Sequence, residues 1–137
     1  MDPSFWVAHH FLGLTLAAIG ELNEAIESLR AARLHHGNLE PLAGLGYCHA
    51  RLRNVSEARA VLDELAAIGG TAYVQPIIPA LIYSGMGDND RAFACLDEAY
   101  RHHNQWLSEI KVDAMFDLLR GDGRFEELLK RLRLARG

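Results

Sequence analysis

Apolar residues recur at helical spacing along the first hundred positions, and the helices themselves recur at a longer period. Between Leu22 and Leu34, Ala25, Ile26, Leu29 and Ala32 fall on one helix face, while Glu24, Glu27 and Arg30 fall elsewhere on its surface. The stretch from Ala80 to Ala99, ALIYSGMGDNDRAFACLDEA, reads as two short helices joined by a turn. Gly87 ends the first, because the residue past a helix end commonly takes a left-handed conformation that glycine enters without strain. Asp88 is placed to cap the second, and Asp90 faces the positive end of its dipole. Small residues at Ala80, Ala92 and Ala99 suit close helix crossings, and Tyr83 and Leu96 suit the gaps between neighbours.

The long period follows from three series. The small position recurs as Gly13, Gly46 and Ala80, the second-helix alanine as Ala25, Ala58 and Ala92, and the large residue as Leu29, Leu62 and Leu96. Each series steps by 33 and then 34 residues. Two helices per unit at that period mark a helical solenoid. The pattern predicts helices over residues 5–18, 22–34, 39–52, 56–68 and 89–102, with one more after Pro76. Ser56 is the expected N-cap of the fourth, with Glu57 in its first turn. Gly69-Gly70-Thr71 reads as an inter-repeat turn, and Pro76 and Pro79 crowd the next helix, which must be short or irregular at its start. The second unit departs most from the pattern. It has His49 at the aromatic position, Arg53 where the turn glycine belongs, and Leu65 in place of the last alanine. Asn54 is expected to supply the left-handed turn in place of Arg53, since Asn tolerates it better than most residues.

The signature Leu12-Gly13, Leu16, Gly20, Ala25, Leu29, Ala32, echoed twice downstream, resembles the tetratricopeptide repeat, over roughly residues 5–104. The resemblance implies an all-α fold: a right-handed α-solenoid of three helix pairs plus a C-terminal capping segment. The expected single domain spans residues 1–137, with repeats at 5–38, 39–72 and 73–104 and a cap at 105–137. In the cap, Trp106, Leu107 and Ile110 suggest a short amphipathic helix, and Phe116, Phe125, Leu128 and Leu129 are expected to cover the last repeat. This tail is similar to the one closing tetratricopeptide modules of bacterial signalling proteins such as winged-helix regulators and Ser/Thr kinases. That pattern has prolines where this chain has Ala114 and Gly123.

Composition narrows the picture only slightly. The net charge of -4 gives no global reason to expect nucleic acid. Residues 1–119 carry 8 basic and 15 acidic side chains, whereas residues 120–137 carry 6 and 3. The basic end, Lys130 to Arg136, reads as a last helix whose cations suit its C-terminus, with an anionic surface as the alternative. Cys48 and Cys95 fall in different repeats and read as core fillers, not as a disulfide framework. Asp2 stands where a signal peptide needs positive charge, and no apolar run is long enough to span a membrane, so a cytoplasmic protein is expected.

Candidate chemistry is sparse. The pairs His9-His10, His35-His36 and His102-His103 invite a metal, but adjacent helical residues point about 100° apart and do not converge on one ion. Pairs at helix ends read as partners of terminal carbonyls. Gly44-Leu-Gly46, Gly85-Met-Gly87 and Gly121-Asp-Gly123 lack the third glycine and preceding strand of a dinucleotide loop. Neither a metal, a cofactor nor a catalytic residue is expected.

The resemblance implies a concave groove lined by the first helix of each pair, which docks a peptide or partner protein. Carried over residue by residue, the groove comprises Val7, His10, Leu14 and Ala17, then Glu40, Ala43, Tyr47, Ala50 and Arg51, then Ile77, Leu81 and Ser84. It is mostly apolar, with Arg51 alone suited to a carboxylate, which argues against a receptor for chaperone tails. The leading expectation is a protein–protein interaction scaffold without catalysis. The alternatives are a regulatory segment of a larger signalling protein and a metal-dependent enzyme using the histidines. For the strip formed by Leu14, Tyr47, Ile77 and Leu81, the candidate occupants are a partner segment, a second copy of the chain, or the chain's own tail.

Overall fold

The computed structural model describes residues 4–33, 39–103, 107, 110, 111 and 113–136. Every regular element among them is helical: α1 (Ser4–Ala18), α2 (Leu22–Arg33), α3 (Glu40–Arg51), α4 (Val55–Gly69), α5 (Ile77–Met86), α6 (Asn89–Arg101), a 3₁₀ helix (Ala114–Leu119) and α7 (Gly123–Arg136). None of the described helices is long and apolar enough to cross a membrane. Each helix packs on the one that follows in the α1–α2, α2–α3, α3–α4, α4–α5 and α5–α6 order, and α3 also touches α1 and α5.

Small residues set these crossings. Ala25, Ala58 and Ala92 are all fully buried, as are Ala32, Ala80 and Ala99. A Cβ added at Gly13 would stand 2.5 Å from Leu29 Cγ, so α1 approaches α2 more closely than any side chain would permit. The large residues behave less uniformly. Leu29 and Leu96 are buried completely, but Leu62 is half-buried, and the second unit buries Leu65 instead.

The turns correct two expectations. Gly20 and Gly87 have φ of 91° and 78°, and Arg53, at the same phase of the period, has φ of 64°. Arg53 thus enters the left-handed region itself, while Asn54 has φ of −81° and stands as N-cap of α4. Ser56 accordingly lies inside the first turn of α4 and caps nothing. The chain has one residue to turn in at this phase, and Asn54 comes one position too late. Elsewhere the local chemistry holds. The Asp88 carboxylate accepts from the Arg91 N–H at 3.3 Å, capping α6. Pro76 stands before α5, which is short, running ten residues.

Both parts of the tail reach the third unit, on different helices. Helix α7 packs on α6, where Arg124 reaches Asp90 at 2.8 Å and stacks over Phe93, and Arg131 reaches Asp97 at 2.6 Å and stacks over Tyr100. Phe125, Leu128 and Leu129 are buried. The 3₁₀ helix, with Phe116, packs on α5 of the same unit and also on α1. Trp106 and Val112 lie outside the described residues, as does His35-His36.

Candidate functional site

The face bearing most of the candidate groove residues belongs to α1, α3 and α5, which form a row with α3 in the middle. Residues lacking side chains bring the row together. A Cβ at Gly46 would stand 2.5 Å from Ile82 Cδ1, and one at Gly85 would stand 3.0 Å from the Tyr47 carbonyl oxygen. The backbones of α3 and α5 therefore meet almost directly, and side chains beside the contact are pressed into one surface.

The 3₁₀ helix lies on that row. Met115, Phe116 and Leu119 are buried, and so are Leu107 and Ile110 upstream. Its Leu118 shares a cleft of about 540 Å³ with Ala50, Arg51, Arg53, Ser84 and Met86. Burial pushes the Tyr47 phenol above its usual pKa; the Arg51 guanidinium opposes this, and the negative charge of Asp117 on the 3₁₀ helix adds to it. Arg51 Nη1 donates to Tyr47 Oη at 3.3 Å, and the guanidinium lies 5.6 Å from the ring centroid.

Polar contacts hold the segment in shape. Asp113 Oδ1 accepts from the Met115 N–H at 2.9 Å, starting the 3₁₀ turn. Arg120 gathers the chain on both sides of it, donating to the carbonyls of Lys111 at 2.8 Å and Asp113 at 3.0 Å and to Asp117 at 2.6 Å. The same guanidinium stacks 5.2 Å from the centre of the Phe125 ring, tying the segment to α7.

The candidate groove residues are thus brought together but not left open. His10, Ala17, Ala43, Ala50, Tyr47, Ile77, Leu81 and Ser84 are buried, Tyr47 to 2% exposure. Val7, Leu14 and Glu40 are half-buried, and only Arg51 is exposed. Ser84 satisfies its hydroxyl internally, donating to the Leu81 carbonyl at 2.6 Å. The expected exposed strip is therefore corrected to a largely buried one, with the 3₁₀ segment packed on α5 and α1 of the same row.

Reactive groups do not gather here. Burial raises the Cys48 thiol to about 12 and the Cys95 thiol to about 11, so both stay protonated near neutrality and are poor nucleophiles. Burial lowers His10 and His49, favouring neutral imidazoles. His103, two residues past the end of α6, has φ of 54°, its N–H donating to the Tyr100 carbonyl at 3.2 Å. Among the described residues, no three His, Cys, Asp or Glu side chains come close enough to hold a metal ion. Set against known proteins, the chain matches no family model, no curated protein and no solved structure.

Proposed function

We propose that this chain is a protein–protein interaction module without catalysis, a right-handed solenoid of three tetratricopeptide-like helix pairs whose ligand face is held shut by its own 3₁₀ segment. The observations supporting this are the burial of Tyr47, Ile77 and Leu81 on the α1–α3–α5 row and the packing onto α5 and α1 of a six-residue helix whose Met115, Phe116 and Leu119 are buried. In the solenoid reading, these first helices line the concave side, and the segment sits where a bound peptide would. The shared phase of the left-handed turns at Gly20, Arg53 and Gly87 supports the repeat itself.

The segment also states what the face accepts: apolar side chains at positions i, i+1 and i+4 of a single helical turn, capped by an acid. Burying three such side chains stabilises the closed form by roughly 1.5–3 kcal/mol each before ordering costs. Because the segment is tethered, a free partner competes against an effective concentration in the millimolar range. A partner with the same spacing binds only when it offers more buried surface or when the segment is released.

The test uses a labelled peptide of residues 107–121 and chains carrying Phe116→Ala with Leu119→Ala. The opened chain should bind the peptide saturably, the unaltered chain should not at the same concentrations, and adding Leu81→Glu should abolish binding. The milder Met115→Ala chain serves if the double variant unfolds. A folded, opened chain that ignores the peptide refutes the proposal.

A further inference from the structure

Helix α1 carries an apolar face that none of the described residues covers. Phe11 is 62% exposed, Leu12 50% and Ile19, just past the helix end, 68%, and Ala8, Thr15 and Ala18 are exposed too. No Asp, Glu, Lys or Arg occurs from Ser4 to Ala18, so no long charged side chain lies over this face from its own helix.

The period says what such a face does elsewhere in the chain. Phe11, Leu12, Thr15 and Ile19 have Gly44, Leu45, Cys48 and Leu52 as their counterparts 33 residues on, and Ile78, Pro79, Ile82 and Met86 a further 34 on. On α3 this face packs against earlier helices: a Cβ at Gly44 would stand 2.7 Å from Leu29 Cδ1 and 3.3 Å from Leu14 Cδ2. On α5 it packs against α3, where Ile82 fills the space over Gly46. Gly44, Leu45, Cys48, Ile78 and Ile82 are all buried. On α1 alone the same positions face water, and Phe11 stands there where α3 has Gly44.

We infer that this face of α1 is a two-fold interface that pairs the chain with a second copy of itself. Charge decides between the arrangements open to two copies. A head-to-tail stack would set the α1 face against α7, where Glu126, Glu127, Lys130 and Arg133 are exposed. Burying those charges under an apolar face is unfavourable. An isologous contact sets one uncharged helix against its twin and closes after two chains.

Shape and polarity agree with the pairing. Phe11, Thr15 and Ile19 form an i, i+4, i+8 ridge, and the small Thr15 leaves a notch between two large side chains that a partner's ridge can enter. The Thr15 hydroxyl donates to the Phe11 carbonyl at 2.9 Å, so it can be buried without an unmet hydrogen bond. Phe11 alone leaves on the order of 100 Å² open, and the whole patch reaches the few hundred Å² that mark interaction surfaces. Doubled across a two-fold axis, it falls at the low end of specific interfaces, roughly 1,000 Å², which corresponds to a reversible dimer.

The test is sedimentation of the full chain across a wide concentration range, with Phe11→Glu, Ile19→Lys and Thr15→Cys variants. The unaltered chain should pass from monomer to dimer with a midpoint in the micromolar range. Phe11→Glu and Ile19→Lys should each raise that midpoint at least 100-fold while melting as cooperatively as the unaltered monomer. Mixing those two variants should restore a dimer, since opposite charges then meet across the axis. Under oxidation Thr15→Cys should give a covalent dimer. A chain that stays monomeric at several hundred micromolar overturns the inference, as does a dimer insensitive to both charged substitutions. Loss of the dimer without rescue on mixing also overturns it, because that pattern signifies damage to α1 and not a paired face.

Discussion

Replacing Arg53 with glycine should make the protein more stable. At φ of 64° an L-residue brings its Cβ close to the following carbonyl oxygen, which costs roughly 1–2 kcal/mol. Glycine removes that strain but gives the unfolded chain more freedom, returning about 0.5–1 kcal/mol. The difference is a net gain of about 0.5–1 kcal/mol, or a midpoint about 2–4 °C higher for a chain of this size. The arginine side chain is exposed at the rim of the cleft, so little packing is lost with it. Gly20 and Gly87 provide the mirror experiment. A Cβ added at either meets nothing within 4 Å, so Gly20→Ala and Gly87→Ala probe backbone strain alone and should lower stability by about 1 kcal/mol. The assay is paired thermal and urea unfolding, followed by far-ultraviolet circular dichroism, with equal urea slopes required so that stability is what changed. If Arg53→Gly is neutral or destabilising while the two alanine variants destabilise, the three turns are not equivalent and the repeat loses its backbone argument.

Other expectations follow from the core and its charges. Ala92→Phe should overpack the α5–α6 crossing, where Ala92 is fully buried, and cost about 1–3 kcal/mol in urea unfolding. Phe125→Ala should cost about 3–5 kcal/mol and loosen α7 first, seen as faster hydrogen exchange in residues 123–133 than elsewhere. Burial holds His10 and His49 below the ordinary value of 6.5, so below that pH the unfolded chain binds protons that the folded chain does not. Stability should therefore be full above pH 6.5 and fall as the pH drops below it, and His10→Gln with His49→Gln should flatten that slope in melting curves.

Much of the helical layout can be read from the sequence because it repeats. Apolar spacing in Leu22–Arg33 and Asn89–Arg101 places their buried faces, and Asp88 and Gly87 mark a cap and a turn that the structure shows. Reading failed where a residue type and its period disagreed. At Arg53, propensity favours Asn54 next door, but the geometry of two helices meeting at that phase leaves the turn to position 53. The tail was only half readable for a related reason. Phe116 and Phe125 look alike as apolar residues beyond the last repeat, and nothing in their spacing tells that one goes to the α1–α5 side and the other to α6.

The covering of the candidate site nevertheless left a mark in the sequence. From Pro41 to Ala50 the chain reads PLAGLGYCHA, ten residues without Asp, Glu, Lys or Arg, and all ten are buried. Helix α4, half open to water, carries Glu57, Arg59, Asp63 and Glu64 in fifteen residues. A helix facing an open groove keeps one side wet and needs polar residues there, whereas a helix apolar all round must be covered all round. Helices α1 and α2, α4 and α5 account for the neighbours of α3 within the repeats. An apolar face of α3 left open beside them would be an exposed patch of the sort monomers seldom tolerate. In the proposed reading that cover comes from the 3₁₀ segment, whose Met115, Phe116 and Leu119 are buried and which packs on α5 and α1. The same reasoning applies to α1, which carries no Asp, Glu, Lys or Arg: its Phe11 and Leu12, with Ile19 just beyond, are left without cover among the described residues, and the inferred two-fold pairing supplies it.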